Sequence, residues 1–164
     1  MEQKSRNILY AVKGEQAMKT TTIYFDMDGT IADLYAKENW LECLEAYDVS
    51  PYKEARVMLK MNGFARMLNR LQREGYRIGI ISWLSKSGNA EYNAEVTQAK
   101  MEWLKKHLAS VNWDEIHIIK YGTPKSTRAR EETDILFDDE ERNRREWKGQ
   151  AYTETDIMNI LKAL

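Results

Sequence analysis

The sequence predicts an α/β protein: a three-layer α/β/α sandwich with a mainly parallel, Rossmann-like sheet and a small helical cap insert. Three observations carry this. Short β-branched and aromatic runs alternate with longer stretches of helical periodicity, the order that builds parallel sheets through crossover connections. Right-handed crossovers then lay each helix on a face of the sheet. No repeat, low-complexity tract or long linker interrupts that order over 164 residues, a length suited to one domain that buries about two thirds of its unfolded surface.

Residues 1–17 are mixed and polar and read as an N-terminal extension to a domain spanning 18–164. Ile8 to Val12 form an apolar run of strand length, so a leader and an extra edge strand are both compatible with the pattern. The first strand runs from Thr21 to Phe25. A helix follows with Leu34, Leu41 and Leu44 on one face, and Ser50-Pro51 ends it or begins the next. From about 33 to 62 the pattern stays helical with no second strand set, which marks the cap insert. Phe64, Met67, Leu68 and Leu71 then follow i, i+3, i+4, i+7 spacing, and Gly75 stands where a glycine stops a helix.

Arg77 to Ser82 is the second strand. After a polar loop at 85–89, a helix from about Glu91 to Leu108 turns Val96, Ala99, Trp103 and Leu104 inward. Ile116 to Ile119 and Thr133 to Phe137 supply two further strands, and Ala151-Tyr152 a short fifth. Ile157, Ile160, Leu161 and Leu164 mark a closing amphipathic helix.

Composition excludes several functions. The 25 basic and 26 acidic residues, net −1, are mixed along the chain, so no broad field favours nucleic acid or an anionic membrane. Cys43 is the only cysteine, which excludes an intramolecular disulfide and a cysteine-rich zinc site and points to a reducing compartment, the cytoplasm. No window approaches 18 apolar residues, and the first 20 are too polar for a signal peptide. A soluble, unexported protein is expected.

Four constellations carry chemistry. Asp26-Met27-Asp28-Gly29-Thr30 puts two carboxylates just past an apolar strand. Asp-x-Asp on a surface is commonly a solvated turn, but here Gly29 and Thr30 turn the chain at a strand's C-terminal end, where open parallel sheets place ligands. One carboxylate there suits attack on phosphorus and the other proton transfer. Ser82 closes the second strand, where its hydroxyl can donate to a phosphoryl oxygen or simply cap a turn. Lys125, in Gly122-Thr123-Pro124-Lys125, can neutralise a phosphoryl group; Lys120, at the preceding strand's end, is its rival. Asp138-Asp139 follow another strand, with Asn143 one helical turn on. Adjacent carboxylates repel unless a cation lies beside them, and hard oxygen ligands favour Mg2+ over zinc.

In this order the four resemble the haloacid dehalogenase superfamily of phosphohydrolases, whose pattern runs Asp-x-Asp-x-Thr, then Ser or Thr, then Lys, then an acidic pair. The resemblance covers roughly Thr21 to Trp147. The helical insert and the Leu136-Phe137-Asp138-Asp139 ending with Asn143 also resemble the 5'(3')-deoxyribonucleotidase branch. The resemblance implies that Asp26 attacks phosphorus to form an aspartyl-phosphate, while Asp28 protonates the leaving oxygen and later activates water. It implies Mg2+ held by Asp26, the Asp28 carbonyl and Asp138, with Asp139 as a further ligand or behind the others. The amides near Met27 and Asp28, with Ser82 and Lys125, would bind the phosphoryl oxygens.

The substrate so implied is a small phosphate ester, foremost a nucleoside or deoxynucleoside monophosphate. Alternatives are a phosphatase or phosphotransferase acting on a sugar phosphate or a nucleic acid end, and a non-enzymatic phospho-aspartate signalling module. A receiver of that last kind places its acidic pair first and its phosphoacceptor later, the reverse of the order here. Tyr35, Trp40, Tyr52 and Phe64 could stack a base, although aromatics at helical spacing are usually core. Arg142, Arg144 and Arg145 read as a solvated helix face, Cys43 as a small buried hydrophobe, and His107 and His117 are too separated for a metal site.

Overall fold

The strands are β1 (Thr22–Phe25), β2 (Ala32–Asp33), β3 (Arg56–Val57), β4 (Arg77–Trp83), β5 (Glu115–Ile119), β6 (Ile135–Phe137) and β7 (Gln150–Tyr152). The helices are α1 (Trp40–Glu45), α2 (Ser50–Glu54), α3 (Met61–Arg73), α4 (Ala90–His107), α5 (Glu141–Glu146) and α6 (Ile157–Ala163), with 3₁₀ turns at Leu34–Ala36, Lys125–Arg128 and Glu154–Asp156. This is a computed structural model, and it describes residues 20–164. The extension expected over 1–17, with its apolar run, lies outside the described residues.

Five strands pair in the order β5-β4-β1-β6-β7, every pair parallel. The alternation of β1 decides the two faces. Ile23 and Phe25 point to one side with Ile78, Ile80, Ile135 and Phe137, where α3, α4 and α6 bring Phe64, Leu68, Trp103, Leu104, Ile157 and Leu161. Phe25 stacks on Phe137 at 5.1 Å and meets Phe64 edge-on at 5.2 Å. Burying each such ring contributes about 2–3 kcal/mol. Tyr24 points to the other side with Ile81, Leu136 and Trp147. That second helical layer is thin, built from the Lys125–Arg128 turn and six-residue α5.

The α3 helix stops as its sequence requires. Gly75 takes φ +99°, its amide bonds Gln72 O and the Tyr76 amide bonds Leu71 O, the pair of bonds that closes a glycine-terminated helix.

The insert differs from its helical reading. Ala32–Asp33 pairs antiparallel with Arg56–Val57, stapling the insert's two ends together; strands of two residues are too short to show alternation in sequence. The single helix expected to carry Leu34, Leu41 and Leu44 is broken into a 3₁₀ turn and α1, which shifts the phase. Leu34 is buried, while Leu41 is 49% exposed. Ser50-Pro51 begins α2, with proline in its first turn.

Candidate active site

The strand order reverses direction between β1 and β6, the switch point at which open α/β sheets form a crevice. Each of these strands runs directly into a carboxylate. The Asp26 amide donates to Phe137 O at 2.9 Å and the Asp138 amide to Tyr152 O at 3.1 Å, so both residues are locked to the sheet. Gly29, at φ +79°, then turns the chain, and the amides of Thr30, Ile31 and Ala32 all donate to Met27 O at 2.9–3.1 Å. A Cβ at position 29 would collide with Asp139 Oδ2 and lie 2.9 Å from Tyr35. The turn leaves the amides of Met27 and Asp28 with no acceptor among the described residues, an arrangement suited to receiving an anion.

Carboxylate oxygens of Asp26, Asp138 and Asp139 lie within 4.8 Å of one another. Lys125 reaches in from its 3₁₀ turn, Nζ 2.7 Å from Asp26 Oδ1 and 2.6 Å from Asp138 Oδ2. The rival Lys120 is exposed and holds no part of the cluster. Thr30 Oγ1 lies 3.2 Å from Asp26 Oδ2 and 3.3 Å from Asp139 Oδ1, and accepts the Asp139 amide at 3.1 Å. Asn143 donates to Asp138 Oδ2 at 3.1 Å.

Burial pushes the Asp138 carboxyl up to about 6, and Asp26 beside it adds to the rise against the pull of Lys125. Asp139 rises to about 7 through burial and then through Asp26 and Asp138. Burial pulls the Lys125 ammonium down, but the two carboxylates outweigh it and hold its pKa above the ordinary lysine value. The cluster therefore holds more negative charge than one ammonium relieves. Asn143 is almost fully buried and its Oδ1 has no hydrogen-bond partner. A donor set of hard oxygens, one of them orphaned, fits Mg2+.

Asp28 stands in a second pair that the sequence did not suggest. Lys100, in the middle of α4 and 1% exposed, places Nζ 2.5 Å from Asp28 Oδ2, 2.7 Å from Ser82 Oγ and 2.8 Å from Trp83 O. Its sequence signal is a charge on an apolar stripe: Lys100 lies four residues from both Val96 and Leu104. Burial pushes the Asp28 carboxyl above its ordinary value although Lys100 pulls it down.

Ser82 departs from expectation. It is fully buried, its hydroxyl accepts from Lys100, and it does not line the cleft. Its hydroxyl is turned to Lys100 in the middle of α4 and away from the cleft. Met27 is likewise buried and offers only its amide.

Above the cluster opens a cleft of about 780 Å³ lined by Asp26, Asp28, Lys125, Asp138, Asp139 and Asn143. The insert contributes Tyr35 and Trp40, in edge contact at 4.9 Å, and Tyr52; the core loops contribute Trp83 and Tyr121, also 4.9 Å apart. Phe64, expected with these aromatics, is in the main core instead. Arg144, read as solvated, donates to the carbonyls of Asp138 and Asp139 at 2.8 and 2.6 Å, fixing the acidic pair. Arg142 does face solvent. Cys43 is buried, and His117 pairs with Glu115 away from the cleft.

No protein-family model and no curated protein matches the chain. Among solved structures it is similar to the D,D-heptose 1,7-bisphosphate phosphatase from Burkholderia thailandensis, at 17% identity and a TM-score of 0.48, over 77% of this chain and 70% of that one. No helix of the described residues is long and apolar enough to cross a membrane.

Proposed function

We propose that this chain is a Mg2+-dependent phosphomonoesterase of the haloacid dehalogenase kind, hydrolysing a small phosphate ester, foremost a nucleoside or deoxynucleoside monophosphate. One observation carries the proposal: Asp26 is held by a buried lysine beside two unpaired backbone amides, at the floor of an open cleft. That is a nucleophile with anion donors around it.

Asp26 attacks phosphorus, the bond from phosphorus to the ester oxygen breaks, and that oxygen takes a proton from Asp28. The burial that raises Asp28 favours its carrying that proton. Water then attacks the phosphorus of the aspartyl-phosphate, gives its proton to Asp28 and releases phosphate, restoring Asp26. The Met27 and Asp28 amides and Lys125 hold the phosphoryl oxygens. Lys125 has three protons and two acceptors among the described residues, so one proton is free for phosphate. Asp26, the Asp28 carbonyl, Asp138 and Asp139, with Asn143 Oδ1 nearby, would hold Mg2+, whose charge would draw a dianion into an acidic site.

The aromatic walls support the nucleotide preference. Tyr35, Trp40, Trp83 and Tyr121 line the cleft with aromatic surface against which a planar base could pack. The test is phosphate release from a panel of nucleotides, sugar phosphates and phosphorylated DNA ends with Mg2+ present. Release is expected to be fastest from nucleoside monophosphates. Asp26→Asn is expected to abolish turnover with the fold intact; full activity in that variant would overturn the assignment of the nucleophile.

A further inference from the structure

Resting on the phosphatase function proposed above, we infer that Lys100 is a positioning residue that clamps the Asp28 carboxylate for proton transfer and makes no contact with phosphate itself. The geometry separates the two lysines of the site. An ammonium has three protons. Those of Lys100 are all engaged, by Asp28 Oδ2, Ser82 Oγ and Trp83 O. Its Nζ also lies 5.2 Å from the centre of the Tyr52 ring, and Lys100 does not line the cleft. Lys125, by contrast, lines the cleft with a proton to spare.

The clamp acts on one side of Asp28. Oδ2 is taken by Lys100, while Oδ1 makes no hydrogen bond among the described residues and the side chain stays 17% exposed, on the cleft wall. The partners of Lys100 are themselves fixed: Ser82 and Trp83 close β4, and Trp83 Nε1 donates to Thr123 O at 2.8 Å. A rigid strand end therefore sets the lysine, and the lysine sets the carboxylate. With Lys100 gone, nothing among the described residues would hold Asp28 in that rotamer, and a group misplaced by about 1 Å loses on the order of 100-fold in rate.

The test is a double-mutant cycle with two leaving groups. Lys100→Met keeps the aliphatic stem and removes the ammonium. On a nucleoside monophosphate, whose alkoxide needs a proton as it leaves, kcat is expected to fall about 100-fold with KM within about twofold, the scale of a lost general acid. On p-nitrophenyl phosphate, whose leaving group needs no proton, the fall is expected to stay under about tenfold. In an Asp28→Asn background Lys100→Met is expected to add no further loss, since it acts only through Asp28.

Equal losses on both substrates, a KM that rises tenfold, or additive losses in the cycle would each overturn the role of Lys100 while leaving the phosphatase function standing. Should Lys100→Met fail to fold, the double variant, which removes both charges, decides: kcat equal to that of Asp28→Asn supports the clamp, and a further tenfold loss overturns it. If the wild-type protein releases phosphate from no ester in the presence of Mg2+, the phosphatase function fails and the clamp falls with it.

Discussion

Replacing Lys125 by Met removes the only ammonium that touches Asp26 and Asp138 among the described residues, and its cost follows from two distances. At 2.7 and 2.6 Å, with an effective dielectric of about 20, each contact is worth about 6 kcal/mol of gross attraction. Burying the ammonium and two carboxylates offsets most of that, and measured losses on breaking a buried pair are about 3–5 kcal/mol. For a chain of this length that is a fall in melting temperature of roughly 10 °C. Thermal unfolding followed by circular dichroism in EDTA measures it. Saturating Mg2+ is expected to recover at least half of the deficit, because the cation answers the same uncompensated carboxylates. Phosphate release is expected to fall about 100-fold or more even with Mg2+, since the donor to phosphate is lost. A variant that melts within about 2 °C of the wild type in EDTA would refute the claim that the acidic cluster needs this ammonium.

Two further outcomes are expected. In EDTA, Asp138 and Asp139, raised to about 6 and about 7, bind more protons in the folded state than in the unfolded one, so their contribution to stability grows as pH falls from about 7 towards 4. Urea unfolding between those pH values, with and without Mg2+, is expected to show a stabilisation by Mg2+ that shrinks as the two carboxyls take up protons; a Mg2+ increment that stays constant or grows as pH falls contradicts it. Gly29→Ala would force a β-carbon into Asp139 at φ +79°, with an expected loss of about 2 kcal/mol and of most phosphate release, and a variant as stable and active as the wild type would contradict the placement of Asp139 over the turn.

What was legible in the sequence was what is local. Asp26-Met27-Asp28-Gly29-Thr30 carries its own strand, turn and carboxylates, and Gly75 announces the end of α3 by itself. Parallel pairing, with helices laid on the sheet by right-handed crossovers, follows from the alternation of strand and helix patterns and needs no knowledge of side-chain contact. What was missed depends on phase or distance. Phe64 and Tyr35 carry the same helical spacing, yet one fills the core and the other borders the cleft, because periodicity reports a buried face without saying what buries it. Each strand of the β2–β3 staple spans a single period of alternation, too little to show a repeat. Arg144 works through backbone carbonyls, which no side-chain pattern records. Ser82 occupied the expected strand end, but its partner, Lys100, is 18 residues away on a helix read as apolar on that face.

Lys100 also changes the charge balance that the motifs imply. The four carboxylates Asp26, Asp28, Asp138 and Asp139 facing Lys125 alone would give a formal charge of −3, repelling a phosphate dianion strongly. With every carboxylate ionised, Lys100 reduces this to −2, since four negative charges meet two ammoniums, and one divalent cation would then bring the site to neutrality before Asp28 takes up its proton. The two lysines reach that balance by different routes. Lys100 spends all its protons inside the protein and so neutralises Asp28 without competing for substrate, whereas Lys125 neutralises part of the cluster and keeps a donor facing the cleft. Exchanging those positions would leave the net charge unchanged but bury the donor that phosphate needs, so it is the count of unspent protons, and not the count of charges, that separates the lysine holding the scaffold from the one facing the reaction.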